Sequence, residues 1–404
     1  MRRSSILLII AAVIACLALS AFAQDTSAPV KGTIIAPPST QGLPQLKVHT
    51  PLYIFIPDTG VNPDAPPAGA ENPGSLACIY GVTPPTNGCP RSGSPVATGG
   101  TKAIAVVDYG HNSTLQADFN TFNTQYGLPQ QTLLIQCACG SCPSNDGTGW
   151  DGETALDVEY AHAMAPNAQI IVSEFCNDPV TDGAELGAAQ YIASHYGGGE
   201  VSNSWGYNGG EDPSETQLDS YFVEAGVVFF ASAGDSGLGP QYPSVSPNVV
   251  SVGGTHITRD SNGNFTGQTC WSGSGGGISR YEPPQQYQLY IANRTGPHRG
   301  TPDWSADAAP ASGAAIYSTT DCGGWCEVGG TSLASPLLAG IINAAGHFIT
   351  SSPRELSMTY QYYIHPLSYF TAFYDITSGS NGSPAGPGWD QCTGLGTPRQ
   401  ISFF

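Results

Sequence analysis

The string Gly329-Gly330-Thr331-Ser332-Leu333-Ala334-Ser335-Pro336 runs into the apolar stretch 337–345 and places a serine at the start of a helix. Small residues before Ser332 let the backbone turn tightly and leave the hydroxyl exposed. There the helix dipole and free N–H groups favour a developing negative charge. Taken alone, such a serine is an ordinary N-cap. Glu153 and Asp157 stand four residues apart in Gly152-Glu153-Thr154-Ala155-Leu156-Asp157, a spacing that shares one helical face. Two solvated carboxylates near a helix N-terminus would account for them equally. Held in one pocket, they would instead share a proton and titrate as a pair. Glu153 could then take the proton of Ser332 while Asp157 orients it, the way weak hydroxyl nucleophiles are activated. A third acid, Asp235, follows the apolar run 227–231 in Ser232-Ala233-Gly234-Asp235-Ser236-Gly237. A turn-forming Asp between glycines is its plain alternative.

The surrounding pattern says what must position these groups. An apolar strand at 104–107 ends in Asp108-Tyr109-Gly110, and a helix follows with Phe119, Phe122 and Tyr126 on one face and Gly127 as its stop. Further strands are expected at 132–135, 169–173, 201–205 and 227–231, alternating with helices near 153–165, 184–195 and 215–225. This alternation predicts an α/β fold with a mostly parallel central sheet and helices on both faces. Active sites of such folds gather at the carboxyl ends of the strands.

Gly-Thr-Ser-x-x-x-Pro on an apolar helix resembles the nucleophile motif shared by subtilisins and sedolisins. A subtilisin needs a histidine base in a His-Gly-Thr-His context, which none of the eight histidines has. Glu153, three residues and Asp157 match the sedolisin pattern instead. Ser204-Trp205-Gly206, Val252-Gly253-Gly254-Thr255, Ser274-Gly275-Gly276-Gly277-Ile278-Ser279 and Pro302-Asp303-Trp304-Ser305-Ala306-Asp307-Ala308 look like the same family. The chain therefore resembles the sedolisins, serine-carboxyl peptidases of subtilisin-like fold, over about residues 75–400.

The resemblance implies a secreted serine-type endopeptidase that works at acid pH through an acyl-enzyme, with Ser332, Glu153 and Asp157 as the triad. It makes Asp235 the oxyanion-hole residue. Only a protonated carboxyl can donate a hydrogen bond to a negative oxygen, so the acid requirement follows from the chemistry. It also implies one calcium ion, held by the carboxylates of Asp375 and Asp390 and the carbonyls of Ile376, Gly386 and Gly388. Oxygen-only ligands suit a hard cation, although the spacing by itself also fits an ordinary Gly/Asp turn. By analogy, Ser204, Trp205, Gly206, Gly275 and Gly276 line the substrate groove.

Composition narrows the partners. Arg2 and Arg3, the apolar run 6–19 and Ala21-Phe22-Ala23 read as an export leader cleaved after residue 23, with lipid attachment at Cys16 as the rival. Removing residues 1–23 leaves 31 acidic against ten basic residues. That balance argues against nucleic acid and anionic membrane surfaces. Protein or peptide substrates are the expected partners, with no membrane span and a monomeric chain. Ten cysteines outside the leader favour disulfides over metal, with Cys78–Cys89 and Cys322–Cys326 as local pairs. The cluster Cys137, Cys139, Cys142 lacks a matching second pair for a metal site.

The expected organisation is a leader at 1–23, a Pro-rich lead-in or short prosegment at 24–101, and a peptidase domain at 102–404 that includes the calcium-binding segment. Residues 24–101 hold 14 of the 33 prolines and read as an extended stretch that wraps a core. Sedolisins usually carry a large folded pro-domain, and these 78 residues depart from that pattern. Two other readings compete: a neutral subtilisin-like peptidase with a histidine base, and a secreted binding protein that has lost catalysis.

Overall fold

A computed structural model describes residues 31–404, so the leader, its cleavage site and Cys16 lie outside the described residues. Strands Gly32–Ile35 (β1), Val48–His49 (β2) and Tyr53–Pro57 (β3) and helix Pro73–Ile79 (α1) come first. The central sheet starts at Ala103–Tyr109 (β4), seven residues without one exposed side chain. It continues with helix Leu115–Tyr126 (α2), strand Leu134–Cys137 (β5), helix Trp150–Met164 (α3), strand Gln169–Phe175 (β6) and helix Ala184–Tyr196 (α4). Strand Gly199–Asn203 (β7), the two-residue strand Gly206–Tyr207 (β8), and strands Val227–Ser232 (β9), Val250–Arg259 (β10), Phe265–Cys270 (β11) and Trp304–Asp307 (β12) follow. Then come strands Ala314–Ser318 (β13) and Gly324–Gly329 (β14) and helices Thr331–Ala345 (α5) and Ser352–Tyr363 (α6).

The strands order as β11-β10-β9-β7-β4-β6-β5, with β12 beside β10. All these neighbours run parallel except β10 and β11. Alternating residues of a strand face opposite sides, and β4 shows it. Ile104 and Val106 enter the core with Leu156 of α3 and Leu333 of α5, while Ala103, Ala105 and Val107 enter the other with Ile192 of α4. This is the α/β architecture that the alternating pattern predicts, with helices covering both faces.

Strand β5 runs two residues later than the expected 132–135, and two further elements differ from the expectation. Residues 215–222 form a 3-10 helix, opened by Glu215 and Gln217 N–H groups that bond carbonyls three residues back; that tighter pitch rarely runs long. Strand β7 stops at Asn203, leaving Ser204 and Trp205 beyond the sheet edge.

The Pro-rich stretch also enters the core. Strands β1 and β3 form a four-stranded antiparallel sheet in the order β1-β3-β14-β13. Leu52, Phe55, Leu76, Ala77 and Tyr80 are buried. Glu71, wholly buried, accepts from Arg259 Nε at 2.6 Å and pairs with Arg91 at 3.0 Å. A buried carboxylate held by two guanidinium groups ties this segment to β10.

Five disulfides link the ten cysteines: Cys78–Cys89, Cys137–Cys142, Cys139–Cys176, Cys270–Cys392 and Cys322–Cys326. Cys78–Cys89 and Cys322–Cys326 are the two local pairs expected; Cys137–Cys142 is a third local pair. The sulfurs of Cys137, Cys139, Cys142 and Cys176 lie within 4.8 Å of one another, but as two disulfides they offer no thiolate to a metal.

Glu200 on β7 and Glu355 on α6 are buried carboxyls at the amino end of the strands, away from the active-site edge. Burial pushes each up to about 8; Asn343, donating at 2.7 Å, pulls Glu200 back, and Glu355 has no hydrogen-bond partner. A carboxyl with a raised folded pKa stabilises fully below its unfolded value near 4.5 and loses that contribution as pH rises toward about 8. In that window each such group costs about 1.4 kcal/mol per pH unit. Melting temperature should therefore fall between about pH 5 and 8, and Glu355→Gln should flatten that fall. A slope unchanged in the variant would remove Glu355 from the account.

Candidate active site

Helix α3 is buried along its entire length, yet it carries Asp151, Glu153, Asp157, Glu159 and His162. A charged carboxylate in such a setting is costly unless paired, so protonation is the cheaper state. Glu153 is wholly buried, and burial pushes its carboxyl well above the ordinary range. Asp108 adds to this, the hydroxyls of Ser332 and Thr50 pull it back, and Asp235 raises it again. Asp157 is raised by burial first, then by Asp108 and Glu153, and is lowered by Ser204.

Ser332 opens α5, which packs against α3. Gly330 precedes it with φ +121°, a conformation L side chains rarely adopt. A Cβ there would meet the Pro51 carbonyl oxygen at 2.0 Å and Asp235 Oδ2 at 2.6 Å. Pro336 has no N–H to return to the Ser332 carbonyl four residues back. That carbonyl accepts instead from Ser204 Oγ at 3.3 Å, while the same hydroxyl sits 2.8 Å from Asp157 Oδ1. Ser204 has one proton and two acceptors. When it gives that proton to the carbonyl, Asp157 must supply the proton for the shorter contact.

Asp235 follows β9 and is partly buried. Its Oδ1 accepts from Thr331 N and Thr331 Oγ1, both at 2.8 Å, and its Oδ2 has no partner. Burial pushes this carboxyl up to about 8, against the lowering effect of the Thr331 bonds. Gly275 lies against the same segment, since a Cβ on it would stand 1.8 Å from the Ala233 carbonyl oxygen. The structure thus brings Ser332, Glu153, Asp157, Asp235, Ser204 and Gly275 into one region. Neither Glu153 oxygen nor the Ser332 hydroxyl has a hydrogen-bond partner among the described residues, a histidine included. Their approach is longer than a hydrogen bond, as unliganded catalytic sites often are.

The sequence model of the subtilase family matches residues 139–357. Kumamolisin of Bacillus sp. strain MN-32 is 33% identical over 75% of this chain and 59% of its own length. Sedolisin of Pseudomonas sp. strain 101 is 29% identical over 82% of this chain and 60% of its own. The solved structure of Pseudomonas sedolisin, a serine-carboxyl proteinase, superposes with a TM-score of 0.63 at 25% identity, covering 81% of this chain and 95% of that one. The chain belongs to the subtilase family and, within it, to the sedolisins. It spans about 60% of the length of these two curated relatives.

Within this family member, other expected residues sit as follows. Trp205 is wholly buried against Tyr207, with ring centroids 5.8 Å apart. Gly206, Gly275 and Gly276 are buried backbone positions. A cavity of about 280 Å³ lined by His49, Tyr207, Gly209, Leu238, Gln241 and Gly275 opens beside Ala233 and Gly234. Another cavity, about 860 Å³, lies between the Cys78–Cys89 loop and the C-terminal residues and includes none of the expected catalytic groups.

At the far end, Gly388 N–H donates to both oxygens of Asp375 at 3.1 Å, and Gly386 N–H donates to Asp390 Oδ2 at 3.0 Å. The two acids thereby bracket the 386–388 turn. Arg294 takes the carbonyls of Pro387 and Trp389. Those of Ile376, Gly386 and Gly388 accept no hydrogen bond among the described residues. Two carboxylates and three free carbonyls are a donor set that fits a hard cation.

Asp108, at the end of β4, was missed as a site residue. It is wholly buried, neither oxygen has a partner, and burial pushes it up to about 8, with Glu174 adding. Its signal was available: an acid closing an apolar strand, in a fold whose sites gather at strand ends. Because Asp108 raises Glu153 and Asp157, Asp108→Asn should lower the titration of that pair. Infrared or NMR titration of the carboxyls would show it, and an unmoved titration would place Asp108 outside the cluster.

Proposed function

We propose that this chain is a secreted serine-type endopeptidase acting at acid pH on protein or peptide substrates. The observation that carries the reading is the unpartnered Asp235 oxygen beside the N-terminus of α5, on a carboxyl whose pKa is pushed up to about 8. Held protonated, that oxygen is a hydrogen-bond donor aimed where an oxyanion would form.

In this reading Ser332 Oγ attacks the substrate carbonyl as Glu153 takes its proton. The oxyanion is received by the Ser332 N–H and the Asp235 hydroxyl. Glu153 then passes the proton to the leaving nitrogen, and water repeats the sequence on the acyl-enzyme. Asp108, Glu153 and Asp157 act as a coupled group, so their protons leave in steps that belong to the cluster. Loss of the first frees Glu153 as base and sets the acid limb; ionisation of Asp235 sets the alkaline limb. Water entering the cleft weakens the burial contribution and moves both limbs toward acid. The 280 Å³ cavity is the pocket for a substrate side chain.

Secretion rests on the leader and the five disulfides. No helix among the described residues is long and apolar enough to cross a membrane. One calcium ion, held by Asp375, Asp390 and the carbonyls of Ile376, Gly386 and Gly388, would pin the C-terminal turn; it supplies rigidity and takes no part in catalysis.

Protein digestion should show a bell-shaped profile with an optimum at about pH 3–5, lost in Ser332→Ala. Asp235→Ala should keep the fold and lose about 10²–10³ in turnover. A neutral optimum, or full activity in either variant, would refute the assignment. Excess chelator should lower the melting temperature, because an ion bound only by the folded state stabilises it; an unchanged melting curve would dismiss the calcium site.

A further inference from the structure

Two disulfides meet at the carboxyl ends of β5 and β6 more closely than either needs for itself. Cys137 is bonded to Cys142 and Cys139 to Cys176. Across the two bonds, Cys139 Sγ lies 3.6 Å from both Cys137 Sγ and Cys142 Sγ, and Cys142 Sγ lies 3.8 Å from Cys176 Sγ. We propose that in the thiol form of the chain these four cysteines bind one zinc ion, and that the two disulfides replace that ion on oxidation.

The spacing fits the ion. A zinc–sulfur distance of about 2.3 Å sets neighbouring sulfurs of a tetrahedron about 3.8 Å apart. The three contacts across the disulfides already have that spacing, and all four sulfurs lie within 4.8 Å of one another. Only the sulfurs of each bonded pair must part. Their Cα atoms stand 5.7 and 6.4 Å apart, a span that side-chain rotation can open while the backbone stays in place. Four thiolates are a soft donor set, which selects zinc over calcium or magnesium. His111 Nδ1, nearby, is engaged with Glu174 at 2.7 Å, so the sulfurs fill the tetrahedron by themselves. A site closed by four protein ligands holds its ion for structure, with no position open for a reacting water.

The backbone keeps these cysteines together without help from the sulfur bonds. His111 N–H donates to Pro143 O at 2.7 Å, and Ala138 N–H donates to Glu174 O at 2.9 Å. Buried Asn145 donates from Nδ2 to Tyr109 O at 3.1 Å. Cys176 N–H is fixed by Asp182 Oδ2 at 2.9 Å. Gly140 turns the loop back at φ +84°, bringing Cys142 over Cys137. A loop anchored at both strands presents its thiols already gathered. Cys139 is exposed and the other three cysteines are half-buried, so ion and oxidant can both reach them. The same loop leads into α3, which carries Glu153 and Asp157. Either zinc or the disulfides would pin the approach to that helix.

The exchange balances. Four thiols release four protons as their sulfurs bind one Zn²⁺. Two molecules of a small-molecule disulfide then take up two electrons each from the sulfur pairs. The Cys137–Cys142 and Cys139–Cys176 bonds form, four small thiols leave with protons from water, and the ion departs. A phosphine and water reverse the change, giving thiols and the phosphine oxide.

The test reduces the full chain with a phosphine at neutral pH, removes the phosphine and adds Co²⁺, which reports a tetrahedral sulfur site through its visible and near-ultraviolet absorption. One ion per chain with the spectrum of a four-thiolate site is expected, displaced by Zn²⁺ and expelled by a small-molecule disulfide. The signal should vanish when Cys139→Ser and Cys176→Ser are combined. It should survive Cys78→Ser with Cys89→Ser, which removes a disulfide elsewhere. Should reduction unfold the chain, Zn²⁺ present from the start should preserve the near-ultraviolet circular dichroism and shield Cys137, Cys139, Cys142 and Cys176 from alkylation. A spectrum without tetrahedral thiolate character, one that persists without Cys139 and Cys176, or one lost equally in both double variants overturns the proposal. So does alkylation of these four cysteines at the rate of the other six with Zn²⁺ present.

Discussion

Desolvation of carboxyl groups is the constraint on which the rest of this structure depends. Asp108, Glu153 and Asp157 are wholly buried and Asp235 partly so around the start of α5, and among the described residues no arginine or lysine pairs with any of them. An unpaired buried carboxylate costs several kcal/mol, so the group protonates instead. Protonation turns an acceptor-only group into a donor. That single change is what the proposed role of Asp235 requires, and in that reading it ties the chemistry to acidity.

The fold supplies the burial. A parallel sheet covered on both faces leaves its strand ends as the natural collecting point. Asp108 closes β4 and Asp235 follows β9, while α3 brings Glu153 and Asp157 across the same end. Helix α5 must approach closely enough for Ser332 to join them, and Gly330 and Pro336 permit it: one by accepting a positive φ without a side chain, the other by freeing a carbonyl that Ser204 takes up. Ser204 then connects the serine backbone to Asp157, so nucleophile and acid pair share one hydroxyl.

The Pro-rich segment changes the meaning of this arrangement. It contributes two strands to the sheet that ends at Gly329, and between them it threads β2 and residues 50–52 over the serine.

Local rules made much of this readable before any coordinates. The alternation of apolar runs and helical stretches determined the parallel α/β sheet, because strands buried on both faces must be continuously apolar. Ser332, Glu153, Asp157 and Asp235 stood out because each sits in a short, unusual string. The disulfides Cys78–Cys89 and Cys322–Cys326 were readable from short spacing, whereas Cys137–Cys142 was not. What required the tertiary structure was everything set by distant segments meeting. Asp108 joined the acid cluster only when β4 and α3 were side by side, Ser204 met Asp157 only in the folded chain, and Trp205 turned inward. The contact between Pro51 and Ser332 spans most of the chain, and no spacing or periodicity encodes it. Covalent spacing reports neighbours along the chain; burial, and hence the protonation that the chemistry rests on, is decided by what folds against them.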